Sequence, residues 1–411
     1  MNYQETLEFL KARDMTMTRY ERDGWDKFVK KIGLKINFPF IHITGSNGKG
    51  STGKFIYEMY RAQGYKAALF GKPYFYRMNE LVTYDGNEIP DDAISSIVTK
   101  YQKEIEKYDL SRFEIEVLIA YEWLNSCNPD IAIIECGMGG ATDATNLDPG
   151  KPLLSIITSV SLEHTAFLGS TVTEIAMSKS GIIKNYGRVL VGKLPADALT
   201  TIQNDAKRKS ADLFIVDDFH HEAFKDGYFR FDYGPNLYII NSYAKYMIKD
   251  AALAIEAVNI LQEVLPISMQ SIKQGLLCKT LPGRMEKIGN VIVDGAHCPE
   301  AIDNLMESVS FLRNRQYVHV VFASFRDKNI AIELPRIDKD CADLTLTTFE
   351  SSRARDEMDY FLYLADFKYE QDYRKAIDDL RSKYPDDLIL VTGSLAFAGI
   401  VRKYLLESIH E

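Results

Sequence analysis

The sequence predicts an α/β protein: a larger N-terminal domain on a mostly parallel sheet, and a smaller C-terminal doubly wound α/β domain. Three observations carry this. Short continuous apolar runs, such as Ile131 to Ile134 and Leu153 to Val160, fit parallel strands buried on both faces. These runs alternate with segments of helical period along the whole chain. The 411 residues are also enough for two or three cores. The crossing between domains is placed near Leu281-Pro-Gly-Arg284, giving domains 1–280 and 281–411.

In chain order, apolar positions at helical spacing (Leu7, Leu10, then Trp25, Phe28, Val29, Ile32) predict two short helices in 1–37. A strand follows from Phe38 to Ile43, then a turn with Gly45, Gly48 and Gly50, then a helix from about Ser51 to Gln63. Glycines let successive backbone N–H groups approach a phosphate, and a helix start adds orphan donors and a positive dipole end. Asn47 and Gly48 lie at the tip, and Lys49 offers a point charge for terminal phosphates. Ser51 or Thr52 offers a hydroxyl for Mg²⁺. The spacing departs from G-x-x-x-x-G-K-[ST], because Gly50 separates Lys49 from Ser51. A ligand-free turn with Ser51 as N-cap is the plainer reading, but three glycines, a lysine and two hydroxyls are more than a turn requires.

A strand at Lys66 to Phe70 leads into the connection 71–81, where Tyr74 and Phe75 either face a ligand crevice or tuck beneath their own loop. After a helix from Arg112 to Ser126, the run Ile131 to Ile134 ends in Glu135 and a glycine-rich turn. A carboxylate at that strand end suits Mg²⁺ better than a lone buried charge. The next strand ends near His164, either a ligand or a structural histidine. Lys179, on the following helix, reads by itself as a solvated lysine. Strand, helix and strand at Arg188 to Val191, Ala196 to Lys209 and Leu213 to Val216 continue the pattern, and 227–242 reads as an antiparallel pair around Gly234-Pro235. A helix from Tyr246 to Leu261 carries Asp250. In the second domain, Asp294 ends a strand and suits a ribose hydroxyl or an ordered water, while Arg284 suits a phosphate or a surface ion pair. Strands at Tyr317 to Ala323, Ala342 to Thr348 and Leu388 to Val391 alternate with helices to the end.

Composition excludes several classes. The balance of 49 basic and 58 acidic residues, with no strong basic run, argues against a nucleic-acid binder. Five scattered cysteines without C-x-x-C suggest neither a disulfide framework nor zinc, and fit a reducing compartment. No signal peptide or membrane-length apolar run is seen, so the expectation is a cytoplasmic protein with no membrane partner.

Thr44-Gly-Ser-Asn-Gly-Lys-Gly-Ser51 resembles the ATP loop of the Mur ligase superfamily, and within it the folylpolyglutamate synthase/dihydrofolate synthase family, whose loop carries the same extra glycine. Other motifs follow in that family's order. Glu135, Gly137, Gly139, Gly140, Asp143, Ala144, Thr145 and Asn146 match Glu-x-Gly-x-Gly-Gly-Arg-Leu-Asp-Ala-Thr-Asn, with Ala141 for the arginine. Glu163-His164-Thr165 resembles Asp-His-Thr, and Lys179 stands where the family carbamylates a lysine. Leu281 to Glu286 contains Pro-Gly-Arg-x-Glu. Asp294 to Pro299 resembles Asp-Gly-Ala-His-Asn-Pro, with Cys298 for the asparagine. Asp327-Lys328-Asn329, Ser352-Arg353-Ala354 and Thr392-Gly-Ser-Leu395 are similar to three further signatures. Departures also fall at Lys72, Tyr74 and Leu81, and at Asp250, where the family has an asparagine that meets the nucleotide.

The resemblance implies ATP-dependent amide ligation on Mg²⁺: L-glutamate is joined to a folate or its glutamate tail through an acyl phosphate, with dihydropteroate as a further candidate acceptor. It implies an N-terminal P-loop ATP-binding domain and a C-terminal glutamate-ligase domain in a monomer. It gives ATP contacts to Asn47, Gly48, Lys49, Gly50, Ser51, Thr52, Asp250, Arg284, Asp294 and His297. Metal contacts fall to Ser51, Glu135 and His164, with Lys179 as a carbamate in support. Substrate contacts fall to Tyr74, Phe75, Asp143 and Arg353, and catalytic roles to Lys49, His164 and Lys179. Arg284 and Asp294 would reach ATP by domain closure. The alternatives are a Mur-type ligase with another carboxylate acceptor, a non-catalytic nucleotide-binding paralogue, and a P-loop kinase or GTPase.

Overall fold

In a computed structural model of the chain, residues 1–13, 22–71, 74, 76–279, 281–312 and 316–408 are described. The chain divides into two compact units, Met1–Asp218 with Lys249–Cys278, and Phe219–Ile248 with Lys279–Glu411.

The first unit is built on eight strands: β1 (Phe40–Thr44), β2 (Ala67–Phe70), β3 (Val82–Tyr84), β4 (Asn87–Glu88), β5 (Ile131–Glu135), β6 (Leu154–Ile157), β7 (Arg188–Val191) and β8 (Asp212–Ile215). Their order is β4-β3-β2-β5-β1-β6-β7-β8. β3 and β4 pair antiparallel at one edge, and the remaining pairs are parallel. All five residues of β1 and of β5 are buried, as central parallel strands require. His42 and Thr44 are the polar members of β1, and the His42 Nε2 lies 2.9 Å from the Thr145 hydroxyl. The helix Lys49–Gln63 starts two residues earlier than its periodicity suggests, because Gly48 (φ 82°) turns the chain straight into it. Gly53 lets that helix press onto the sheet, where a Cβ would sit 3.2–3.5 Å from Ile133, Ile43 and Leu69. Trp25, Phe28, Ile115, Leu118 and Ile134 belong to the core cluster on one side of the sheet, and the Trp25 indole donates to the Ala144 carbonyl (3.1 Å).

The second unit holds two sheets. β9 (Phe219–Lys225), β10 (Tyr228–Tyr233) and β11 (Asn236–Asn241) form an antiparallel meander. β12 (Glu286–Ile288), β13 (Val291–Val293), β14 (Val318–Phe322), β15 (Asp343–Leu346), β16 (Lys368–Tyr369) and β17 (Leu388–Thr392) form a sheet of order β12-β13-β17-β14-β15-β16. Only the β12–β13 hairpin in that sheet is antiparallel.

The meander has a third strand, β9, where the sequence suggests a pair. It also groups with the second unit rather than with 1–280. The helix Pro299–Leu312 accounts for that grouping: the Phe229 and Phe311 rings are 5.8 Å apart, Lys245 pairs with Glu307 (2.8 Å), and the Lys245 N–H donates to Ser308 (3.0 Å). That helix, and the helices Asp91–Lys107 and Met269–Leu276, are absent from the sequence reading. No described helix is long and apolar enough to cross a membrane.

Candidate functional site

In the first unit, the turns after β1, β5 and β6 lie side by side at the carboxyl edge of adjacent parallel strands. The loop after β1 is held before any ligand arrives. The Thr158 hydroxyl donates to the Asn47 carbonyl (2.5 Å), and Ser159 Oγ accepts from the Asn47 N–H (2.8 Å). Gly45 is needed because a Cβ there would collide with Thr158. Lys49 Nζ folds back to donate to the carbonyls of Gly45 (2.7 Å) and Ser46 (3.3 Å). Lys49, Gly50 and Ser51 open the first turn of the loop helix, so their N–H groups face its open end, while the Thr52 N–H already donates to the Gly48 carbonyl (2.9 Å). Thr158 and Ser159 were missed by the sequence reading. Their signal is a polar pair closing the apolar run of β6 on the same edge as the loop.

Glu135 ends β5 in register with Ile43 and is buried. Its Oε2 would lie 3.1 Å from a Cβ at Gly71, so it sits against the end of β2. The glycine-rich turn that follows is fastened to β1 by the Thr44 hydroxyl, which donates to the Gly139 carbonyl. Asp143 is only 4 % exposed, and its carboxylate faces its own turn. It accepts from the N–H groups of Met138 (2.9 Å) and Thr145 (3.0 Å) and from the Thr145 hydroxyl (2.5 Å). Burial pushes its pKa up against the pull of these donors. Asp143 therefore shapes the turn, where the sequence reading gives it to the substrate.

After β6, Glu163 and Lys179 form an ion pair of 2.7 Å with the lysine 1 % exposed, not the solvated helix lysine its local sequence suggests. Burial pulls the Lys179 pKa down, and Glu163 only partly offsets it. Burial works to raise the Glu163 carboxyl, yet Lys179 and Lys49 together hold it below its ordinary value. His164 is exposed at φ 45° and its carbonyl starts the short helix Thr165–Leu168. Asp250 lies in the first turn of the helix Met247–Ile260, buried against Gly48.

Of the 71–81 connection, Phe75, Lys72 and Pro73 lie outside the described residues. Tyr74 meets Arg112, whose Nε is 3.2 Å from the fully buried Glu116. Arg112, missed in the sequence, brings a cation to this edge.

Hard oxygen donors suit Mg²⁺, which keeps several waters and needs few protein ligands. Among the described residues no group of three His, Cys, Asp or Glu side chains could hold a metal. The Glu135 carboxylate and the hydroxyls of Ser51 and Thr52 nevertheless fit one such ion, since the Thr52 hydroxyl is buried with no hydrogen-bond partner. A second ion at His164 and Lys179 does not fit the charges as they stand, because Lys179 is a cation already paired with Glu163.

In the second unit Asp294 is 2 % exposed. It accepts from the Tyr246 hydroxyl (2.7 Å) and from the N–H groups of Met285 (2.9 Å) and Ala296 (2.8 Å). A ligand hydroxyl would have to share these oxygens. His297 Nδ1 is 2.7 Å from the Gly295 carbonyl, and burial lowers its pKa. Arg284 is half-buried at the turn that Asp294 fixes. Arg353 is exposed, paired with Asp327 (3.1 Å) and stacked over Phe325 (4.4 Å).

Comparison with known proteins bears on the family and the fold. The Mur ligase middle domain matches residues 43–229, and the Mur ligase glutamate ligase domain matches residues 283–395. The folylpolyglutamate synthase of Lacticaseibacillus casei is 29 % identical over 99 % of this chain and 99 % of its own. The dihydrofolate synthase/folylpolyglutamate synthase of Bacillus subtilis (strain 168) is 30 % identical over 89 % of this chain and 90 % of its own. A solved FPGS–AMPPCP–folate complex superposes with a TM-score of 0.85, at 26 % identity, over 99 % of this chain and 100 % of that one. The chain belongs to the folylpolyglutamate synthase/dihydrofolate synthase family of Mur ligases.

Proposed function

We propose that this chain joins L-glutamate to a folate, tetrahydrofolate or its polyglutamate, at the expense of ATP. It is an ATP-dependent carboxylate–amine ligase of its family's type. The acceptor carboxylate attacks the γ-phosphorus of ATP, giving an acyl phosphate and ADP. The amino group of glutamate then attacks the acyl carbon, losing a proton as phosphate departs and the amide forms.

The observation that carries this reading is the single edge shared by the phosphate loop, Glu135 and the Glu163–Lys179 pair. Two anions must approach each other there, so the task of the protein is charge neutralisation. Lys49, released from the loop carbonyls, reaches the terminal phosphates, and the helix start binds their oxygens. Ser51, Thr52 and Glu135 would hold Mg²⁺, which supplies further neutralisation of phosphate charge. Its buried amine makes Lys179 a candidate for carbamylation, because the neutral amine is the form that adds CO₂ and loses a proton. The product would set two anions, carbamate and Glu163, side by side, an arrangement that calls for a cation beside His164. Arg353 exchanges Asp327 for the carboxylates of glutamate.

The test measures ADP release with MgATP and L-glutamate on tetrahydrofolate, on dihydropteroate and without acceptor, with mass detection of a product heavier by one glutamate. Product from tetrahydrofolate supports the reading, and product from dihydropteroate as well makes the enzyme bifunctional. ADP release only with some other carboxylate would transfer the chain to a different Mur-type acceptor.

A further inference from the structure

The glycine-rich turn after Glu135 lies flush against the end of the helix Val172–Ser180, which carries Lys179. A Cβ on Gly140 would meet the Lys179 carbonyl at 2.8 Å, and one on Gly181 would collide with Ala141. The Ala141 N–H donates to the Ser178 carbonyl (2.8 Å). One side chain bridges the two segments. Asn146, 8 % exposed, donates from Nδ2 to the carbonyls of Gly140 (3.0 Å) and Gly181 (3.1 Å), and its Oδ1 accepts from Lys184 Nζ (2.7 Å). All three neighbours demand the same orientation of the amide, since carbonyls only accept and an ammonium only donates. The Asn146 main-chain carbonyl accepts from Arg22 (2.7 Å), so the bridge stands on a tethered backbone. The phosphate loop is braced separately, by Thr158 and Ser159.

We propose that Asn146 is a positioning residue: its carboxamide locks the turn that leaves Glu135 to the helix end that carries Lys179, so that these two parts of the site keep one spacing. Its effect on turnover rests on the ligase reading above, whereas the lock itself does not. An amide is the group the place requires. Aspartate there would keep an acceptor for Lys184 but turn an oxygen toward two carbonyl oxygens, which removes both donated bonds and adds repulsion. The phosphate loop shares none of these bonds, so it should not respond. That independence separates a positioning role from a general loss of stability.

The experiment compares the wild-type chain with Asn146→Asp by amide hydrogen exchange without ligand, and by kcat per nucleotide-binding site. Expected is exchange faster by about tenfold in 136–147 and 174–183 together, with 44–54 unchanged. The kcat per site should fall by about 10²-fold, while affinity for ATP without Mg²⁺ stays the same. A merely structural role would lower the melting temperature and the number of sites but leave kcat per site as it was. Lys184→Met, which frees the amide to turn, should loosen the same two segments to a smaller degree, and it carries the comparison if Asn146→Asp folds poorly. Loosening of only one segment, loosening of the phosphate loop as well, or an unchanged kcat per site overturns the proposal. A wild-type chain that forms no ADP with any acceptor overturns the functional reading instead, and the exchange rates still decide the lock.

Discussion

The carboxyl edges of the two parallel sheets are built on different principles. At the first, Thr44, Asp143, Thr145 and Thr158 are buried: the Thr44 and Thr158 hydroxyls donate to main-chain carbonyls of neighbouring turns, and Asp143 closes its own turn on two N–H groups and the Thr145 hydroxyl. At the second, beyond the buried Asp294, the residues around the Asp327 turn are exposed ion pairs: Arg326 with Asp356 and Asp359, and Arg353 with Asp327. Buried hydrogen bonds are costly to break and fix a shape in advance. Exposed pairs contribute little stability and exchange partners readily. The first edge is therefore suited to holding phosphate and metal in a set geometry, and the second to recruiting a charged substrate.

The largest expected effect probes whether the first edge separates chemistry from scaffold. Lys49→Ala should lower ADP formation by about 10²- to 10³-fold while leaving the melting temperature nearly unchanged, because its amine donates to two carbonyls of its own loop and its charge adds a smaller pull on Glu163 than Lys179 does. A large fall in melting temperature would mean that the lysine is part of the scaffold.

Next is the buried network itself. Burial, with a smaller push from the Lys184 charge, holds the His42 imidazole at about 3 against an ordinary 6.5. The unfolded chain takes up a proton there that the folded chain refuses. The stability due to neutral His42 is complete above pH 6.5 and is lost as pH falls toward 3, by about 1.4 kcal/mol per pH unit. Urea midpoints measured between pH 6.5 and 4.5 should fall more steeply for the wild-type chain than for His42→Gln. Parallel slopes would remove His42 from the account.

The smallest effect belongs to the second edge. Arg353→Ala should raise KM for glutamate by about tenfold, with kcat and melting temperature little changed. A loss confined to kcat would mean that Arg353 acts on the reacting atoms and not on the incoming substrate.

Local chemistry made much of this legible in advance. Continuous apolar runs located nearly all the parallel strands, and the loop glycines, Lys49 and Glu135 marked the edge where the candidate site is proposed. What escaped had weak local signals. β9 alternates only partly, as Phe219, Glu222 and Phe224 are half-buried among exposed neighbours. Lys179 looked solvated because nothing in its own helix reveals that Glu163 folds over it. Asp143 matched a motif, but whether a carboxylate faces a ligand or its own backbone depends on the turn it sits in.

The sequence by itself determined the fold class, the order of the parallel strands' elements along the chain and the chemical identity of the phosphate loop. These follow from periodicity and from residue types within a few positions of one another. Only the tertiary structure decided that Thr158 and Ser159 brace Asn47, that Lys179 is paired with Glu163, that Asp250 lies against Gly48 and that 219–248 joins the second unit. Each of these depends on strand register and helix packing between distant segments. Local propensity cannot encode that, because the energy of such a contact exists only once both partners have been brought together and desolvated.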